Sequence, residues 1–279
     1  MLRNSLGALS ACACVLFLGQ ACASGFVDDS HADLVMRNYY FDRNYVNATP
    51  QAAAREWAQS FILNVRSGFT EGPVGFGLDA QGLLGVRLDS SRSRTGTGLL
   101  PFSATTREPA DEYSELGLTA KVRASKSELQ LGTISTFLPI AFASPTRLLP
   151  QTFRGAYLKS QEIDKLTLHV GWLDRINLRD STDYQKMSVA SPNGRFSGAA
   201  ESDRFLFLGG DYAWSPQLTL KYYHAELADL YRKDFYGFVD NRPMGPGSLK
   251  SDFRLFVTSE DGAAKAGTVD NRNAALMLT

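Results

Sequence analysis

Any chemistry in this chain would have to come from charge rather than from nucleophiles or metals. Its histidines, His31, His169 and His224, stand far apart without ligand spacing. Its cysteines, Cys12, Cys14 and Cys22, all fall within the first two dozen residues. Neither a tetrahedral metal site nor a cysteine nucleophile is indicated by that spacing. No G-x-S-x-G elbow occurs, and Thr97-Gly98 sits in a Gly/Thr-rich turn. No enzyme, metal or cofactor is expected, although a Ser/His/Asp constellation assembled in space leaves no sequence signature. What the chain does offer is cations at alternating positions. In Ala120-Lys121-Val122-Arg123-Ala124-Ser125, a period of two puts Lys121, Arg123 and Ser125 on one face and the small apolar residues on the other. Cations lining a watery wall would draw in a carboxylate and pass it along. The same pattern fits a solvated basic face, or cations paired with Asp or Glu across strands. Farther on, Lys250, Asp252, Arg254 and Thr258 oppose Leu249, Phe253, Leu255 and Val257. That mixed charge would orient a zwitterion, and it is also what an ordinary sheet surface shows.

These side chains need strands to hold them. Lys165-Leu166-Thr167-Leu168-His169-Val170-Gly171-Trp172 is the clearest case, with Leu166, Leu168, Val170 and Trp172 on one face. Likewise Phe61, Leu63 and Val65 oppose Ser60, Asn64 and Arg66. Alternation predicts strands over 33–45, 56–69, 74–89, 112–125, 126–133, 153–163, 165–178, 203–214, 217–228, 231–241, 249–260 and 270–279. Tight turns at Glu71-Gly72-Pro73 and Ser215-Pro216 alternate with long Ser-, Thr-, Pro- and Gly-rich loops at 90–111, 135–152 and 179–202. An apolar face on strand after strand suggests an all-β wall between lipid and water, a transmembrane antiparallel barrel. Lysine or arginine turned to lipid at mid-depth would cost roughly 2–4 kcal/mol, so the cations should face a lumen. Tyr39, Tyr40, Phe41, Trp57, Trp172, Tyr212, Trp214, Tyr222 and Tyr223 lie near strand ends, where a headgroup belt would put them. The competing reading is a soluble or surface-exposed β-sandwich, a binding or adhesion module with its apolar faces sealed inside.

Residues 1–23 read as a secretory signal: a lone Arg3, an apolar run from Leu6 to Leu18, then Ala21-Cys22-Ala23. All three cysteines leave with it, so residues 24–279 form one domain without disulfides. Losing Arg3 leaves 28 Lys+Arg against 29 Asp+Glu, which argues against a nucleic-acid partner. The last strand ends at Thr279 rather than at an aromatic residue, and a barrel must close on its first strand, so a truncated chain is expected. Such a fragment is not expected to conduct by itself.

Gly25-Phe26-Val27-Asp28-Asp29-Ser30 and Leu34-Val35-Met36-Arg37-Asn38-Tyr39-Tyr40-Phe41 resemble the start of mature porins of the OprD family of pseudomonads. Val74-Gly75-Phe76-Gly77-Leu78-Asp79-Ala80, Arg94-Thr95-Gly96-Thr97-Gly98-Leu99-Leu100-Pro101, Arg147-Leu148-Leu149-Pro150-Gln151-Thr152 and Ala263-Ala264-Lys265-Ala266-Gly267 continue the series in order. The resemblance implies a monomeric barrel of about eighteen strands in the outer membrane of a Gram-negative bacterium, of which this chain holds about twelve. It implies passive uptake of small carboxylate-bearing nutrients, among them basic amino acids and aromatic or other organic acids, with carbapenem antibiotics admitted by some members. The partners implied are the solute and outer-membrane lipid. The resemblance also places Arg147 at the constriction, on an inward-folded loop stiffened by Pro139, Pro145 and Pro150, and Tyr184 near it.

Overall fold

The computed structural model describes residues 24–46, 51–191 and 194–279. The proposed leader and its cysteines lie outside the described residues. A five-residue helix, Ser24–Asp28, precedes twelve long strands. These are β1 (His31–Asn44), β2 (Ala53–Arg66), β3 (Val74–Asp89), β4 (Glu112–Ala124), β5 (Ser127–Ile134) and β6 (Thr152–Ser160), followed by β7 (Leu166–Asn177), β8 (Phe205–Ala213), β9 (Leu218–Leu227), β10 (Tyr231–Met244), β11 (Gly247–Glu260) and β12 (Asp270–Leu278). Each expected strand is present, with ends displaced by at most about three residues. Three two-residue pieces, Tyr184–Gln185, Met187–Ser188 and Glu201–Ser202, sit in the loop after β7. They carry no alternation signal because two residues cannot show a period.

Every long strand pairs antiparallel with its neighbours in sequence, in an unbroken meander from β1 to β12. β1 and β12 are not paired with each other, so the sheet is open. Turns at one rim are short, down to Ser125-Lys126 between β4 and β5. At the other rim lie the loops 90–111, 135–151 and 178–204, which fold back onto one face of the sheet, the inner face.

The outer face is bare and apolar. Leu63, Phe76, Leu116, Leu118, Trp172 and Leu208 all project from it into the surroundings. No second sheet covers them among the described residues: the other sheet, the two-residue pair of the 178–204 loop, packs on the inner face through Met187. A β-sandwich would bury this face, so that reading gives way to a wall in lipid. Tyr40, Trp57 and Tyr212 point outward toward strand ends, with Trp214 just beyond β8, as a belt would require; Trp172 and Tyr222 also point outward, but from the middle of their strands rather than near an end. Tyr39, Phe41 and Tyr223 do not: they pack on the inner face. Alternation forces this, because consecutive residues such as Tyr39, Tyr40 and Phe41 cannot all point one way.

The inner face is not uniformly polar. Ala58, Ile62, Leu83 and Tyr113 pack with Leu99 and Leu100 of the 90–111 loop and with Leu148 and Leu149 of the 135–151 loop. A larger cluster joins Phe205, Phe207, Tyr223, Ala225, Leu227 and Phe235 to Leu138, Ile140 and Ala141 of that same loop. The loops need a dry seat, and each fully buried leucine contributes about 2 kcal/mol toward holding them.

Candidate functional site

Arg147 sits on the 135–151 loop where it meets the inner face of β1 and β2. Its Nε donates to the Thr97 carbonyl at 3.3 Å, and an Nη donates to the Thr146 carbonyl at 3.2 Å. The guanidinium carbon stands 5.0 Å from the centre of the Phe41 ring. Among the described residues it has no carboxylate partner, so its remaining N–H groups are available to an anion. The backbone around it is tied down. Arg37 donates to the carbonyls of Pro145 (3.0 Å) and Arg147 (3.2 Å), and Ser60 Oγ donates to that of Leu148 (3.1 Å). Strand register produces this clamp: Arg37 lies directly opposite Ser60, and Phe41 directly opposite Glu56, all four on the inner face.

Lys121 points inward, as alternation requires, but its ammonium is occupied. Nζ lies 2.6 Å from Asp79 Oδ1, donates to the Ser67 carbonyl at 3.0 Å, and stands 4.8 Å from the Phe69 ring centre. Register explains the ion pair: Lys121 faces Gly77, and Asp79 is the diagonal neighbour on the same face. Of the readings left open by the sequence, pairing across strands describes Lys121. Arg123, two residues nearer the short-turn rim, lies over the same Phe69 ring at 4.2 Å and is exposed, with no carboxylate partner among the described residues.

Tyr184 is brought to the inner face beside the end of β7. Its hydroxyl donates to Glu115 Oε1 at 2.6 Å and lies 3.1 Å from Thr133 Oγ1 and 3.2 Å from Thr152 Oγ1. Glu115 also accepts from Thr152 Oγ1 (2.7 Å) and Asn177 Nδ2 (2.9 Å). Burial, then the Glu115 carboxylate, push the Tyr184 hydroxyl up to about 12. Tyr184 therefore stays protonated and moors its loop to β4. Arg147 and Tyr184 come from loops that both fold inward, whereas Lys121 and Arg123 lie toward the opposite rim.

On β8 to β11 the inner wall carries the ion pairs Lys221–Asp211 (2.9 Å) and Arg254–Asp252 (2.7 Å). Here Phe137 and Phe142 of the 135–151 loop, Phe235, Phe256, Lys221 and Arg254 line a cavity of about 390 Å³. Thr258 and Phe256 share the face of Arg254. Sequence reasoning did not single out Glu56, Arg37, Glu115 or Lys221. The partners of Glu56, Arg37 and Glu115 lie tens of residues away, and periodicity carries no record of which loop meets which strand; Lys221 meets Asp211 ten residues back through strand register.

Residues 24–279 match the family model described as outer membrane porin, OprD family. The chain is 40% identical over 256 residues to the porin-like protein GalP of Pseudomonas putida, an alignment covering 91% of this chain and 61% of that protein. The chain thus spans about three-fifths of that relative's length. Among solved structures, Acinetobacter baumannii OccAB3 superposes with a TM-score of 0.86 at 40% identity, covering 90% of this chain and 63% of that one. Pseudomonas aeruginosa OpdK, solved with vanillate, superposes with a TM-score of 0.80 at 38% identity, covering 90% and 63%.

Proposed function

The chain belongs to the OprD family of outer-membrane porins, channels rather than enzymes, and from that premise we propose that it serves passive uptake of small carboxylate-bearing solutes, with Arg147 receiving the carboxylate. One observation carries this reading. Lys121, Lys221 and Arg254 are each neutralised by an aspartate on the same wall, while Arg147 is held where its loop meets β1 and β2, with N–H groups that no carboxylate takes among the described residues. An oriented guanidinium can take a carboxylate through two parallel hydrogen bonds, and its partners, two carbonyls and a ring face, add no competing anion. Vanillate, present in the OpdK structure, is a carboxylate of this class. Arg123, near the far rim, would take the solute next, and Tyr184 fixes the loop that borders the passage. The paired charges on β8 to β11 favour a second reading, in which the solute is a zwitterion such as an amino acid, aligned between Lys221 or Arg254 and Asp211 or Asp252.

The test uses the full-length protein in proteoliposomes, comparing swelling rates in benzoate with those in its neutral amide. Arg147→Ala is expected to lower the benzoate rate about tenfold, the size of one charge-assisted hydrogen bond, and to spare the amide. Equal losses for both solutes would remove the role assigned to Arg147.

A further inference from the structure

Glu56 is fully buried on the inner face of β2, and among the described residues it has no cation beside it. A carboxylate in that state is costly unless hydrogen bonds hold it. Its bonds come mainly from one residue. Thr97 donates both its backbone N–H (3.0 Å) and its hydroxyl to Glu56 Oε2, and Ser90 Oγ donates to Oε1 at 3.2 Å. The Thr97 hydroxyl oxygen in turn accepts from the Leu99 amide at 3.2 Å. Thr97 stands between Gly96 at φ +99° and Gly98 at φ +75°. Both are left-handed conformations that favour glycine. Around Gly96 there is open space, so backbone shape rather than crowding calls for glycine there. The two turns let Thr97 present its amide to Glu56 and its carbonyl to Arg147 Nε.

We propose that Glu56 is a positioning residue for Arg147, acting through Thr97, so that the Thr-Gly-Thr-Gly segment is a bracket between β2 and the loop arginine. The proposal rests on the reading of Arg147 as the carboxylate contact. Arg147 has two hydrogen bonds to protein, and one of them is to its chain neighbour Thr146. The bond to Thr97 is thus its one hydrogen bond beyond its own loop, and it sets the in-plane direction of a guanidinium that the Phe41 ring holds only by its face. Glu56 has no exposed surface with which to meet a solute itself.

A double-mutant cycle on the full-length protein separates this from a general structural role, reading the ratio of benzoate to benzamide swelling rates. Glu56→Ala is expected to lower that ratio about fivefold, the size of one net hydrogen bond, and to leave it unchanged in an Arg147→Ala background. Glu56→Gln should keep most of the ratio, because its amide oxygen can still accept from Thr97. Should Glu56→Ala prevent insertion, judged by heat-modifiable gel migration, Thr97→Ala enters the same cycle. The proposal is overturned if the loss is equal in both backgrounds, if Glu56→Gln loses as much as Glu56→Ala, or if the ratio survives Glu56→Ala while Arg147→Ala lowers it. An unchanged ratio in Arg147→Ala alone removes the premise instead.

Discussion

Two adjacent residues on β4 allow the orientation of the wall to be measured. Leu118 is at the middle of Glu112–Ala124, outward and 52% exposed. Six residues separate it from either end, about 20 Å along the strand, or about 15 Å of depth at a tilt of roughly 40°. That puts it near mid-height of an apolar band of about 25 Å. Leu118→Arg should therefore cost about 2–4 kcal/mol, a shift of roughly thirtyfold to a thousandfold in the folding equilibrium. Thr119, the next residue, faces a polar bay lined by Asn64, Asp79, Gln81 and Gln130, and its hydroxyl donates to the Thr133 carbonyl. Thr119→Arg loses that bond but keeps its guanidinium in a polar bay, beside Arg66 and the Asp79 that Lys121 holds, so a cost of about 1 kcal/mol is expected. Denaturant titration of the full-length protein refolded into lipid vesicles, followed by gel mobility, gives both values. Equal costs, or a larger cost at Thr119, would refute the assignment of faces and the lumen with it.

All three tryptophans of the chain, Trp57, Trp172 and Trp214, project from the outer face, so brominated lipids should quench most of the intrinsic fluorescence from these positions, and aqueous iodide little of it. In the turn between β9 and β10, Asp229 pairs with Lys265 at 2.7 Å and accepts from the Ala263 amide at 3.2 Å, and these contacts hold its carboxyl below the usual aspartate range. A depressed folded value means the tie is complete above the unfolded aspartate value of about 3.9 and is lost as pH falls through the folded one. Loop 261–269 should gain protease sensitivity across that acid window, and Asp229→Asn should show the sensitivity already at neutral pH.

The strands were legible because alternation is a local property. Leu166 to Trp172 announces both the strand and its lipid side within a single stretch of chain. Residues at which a loop meets the wall were not legible. Ile62, Leu83 and Phe207 are apolar yet point inward, since the loops above them supply apolar partners from far along the sequence. Pattern reading put Lys121 on the correct face but could not say that Asp79 would claim it, because that depends on the β3–β4 register. Arg147 was flagged by resemblance alone. Its clamp by Arg37 spans 108 and 110 residues, and no window contains both ends.

The unbroken meander also governs which length changes the protein can absorb. Each strand takes its alignment from the one before it, so a residue added at Ser125-Lys126 would exchange the wet and oily sides of β5. Such an error could be swallowed only by a local irregularity like those already present at Trp57/Ala58 and Arg154/Gly155. Insertions in the 178–204 segment carry no such parity constraint. Natural variation in length should therefore accumulate at one rim, leaving the tight turns at the other nearly constant in size.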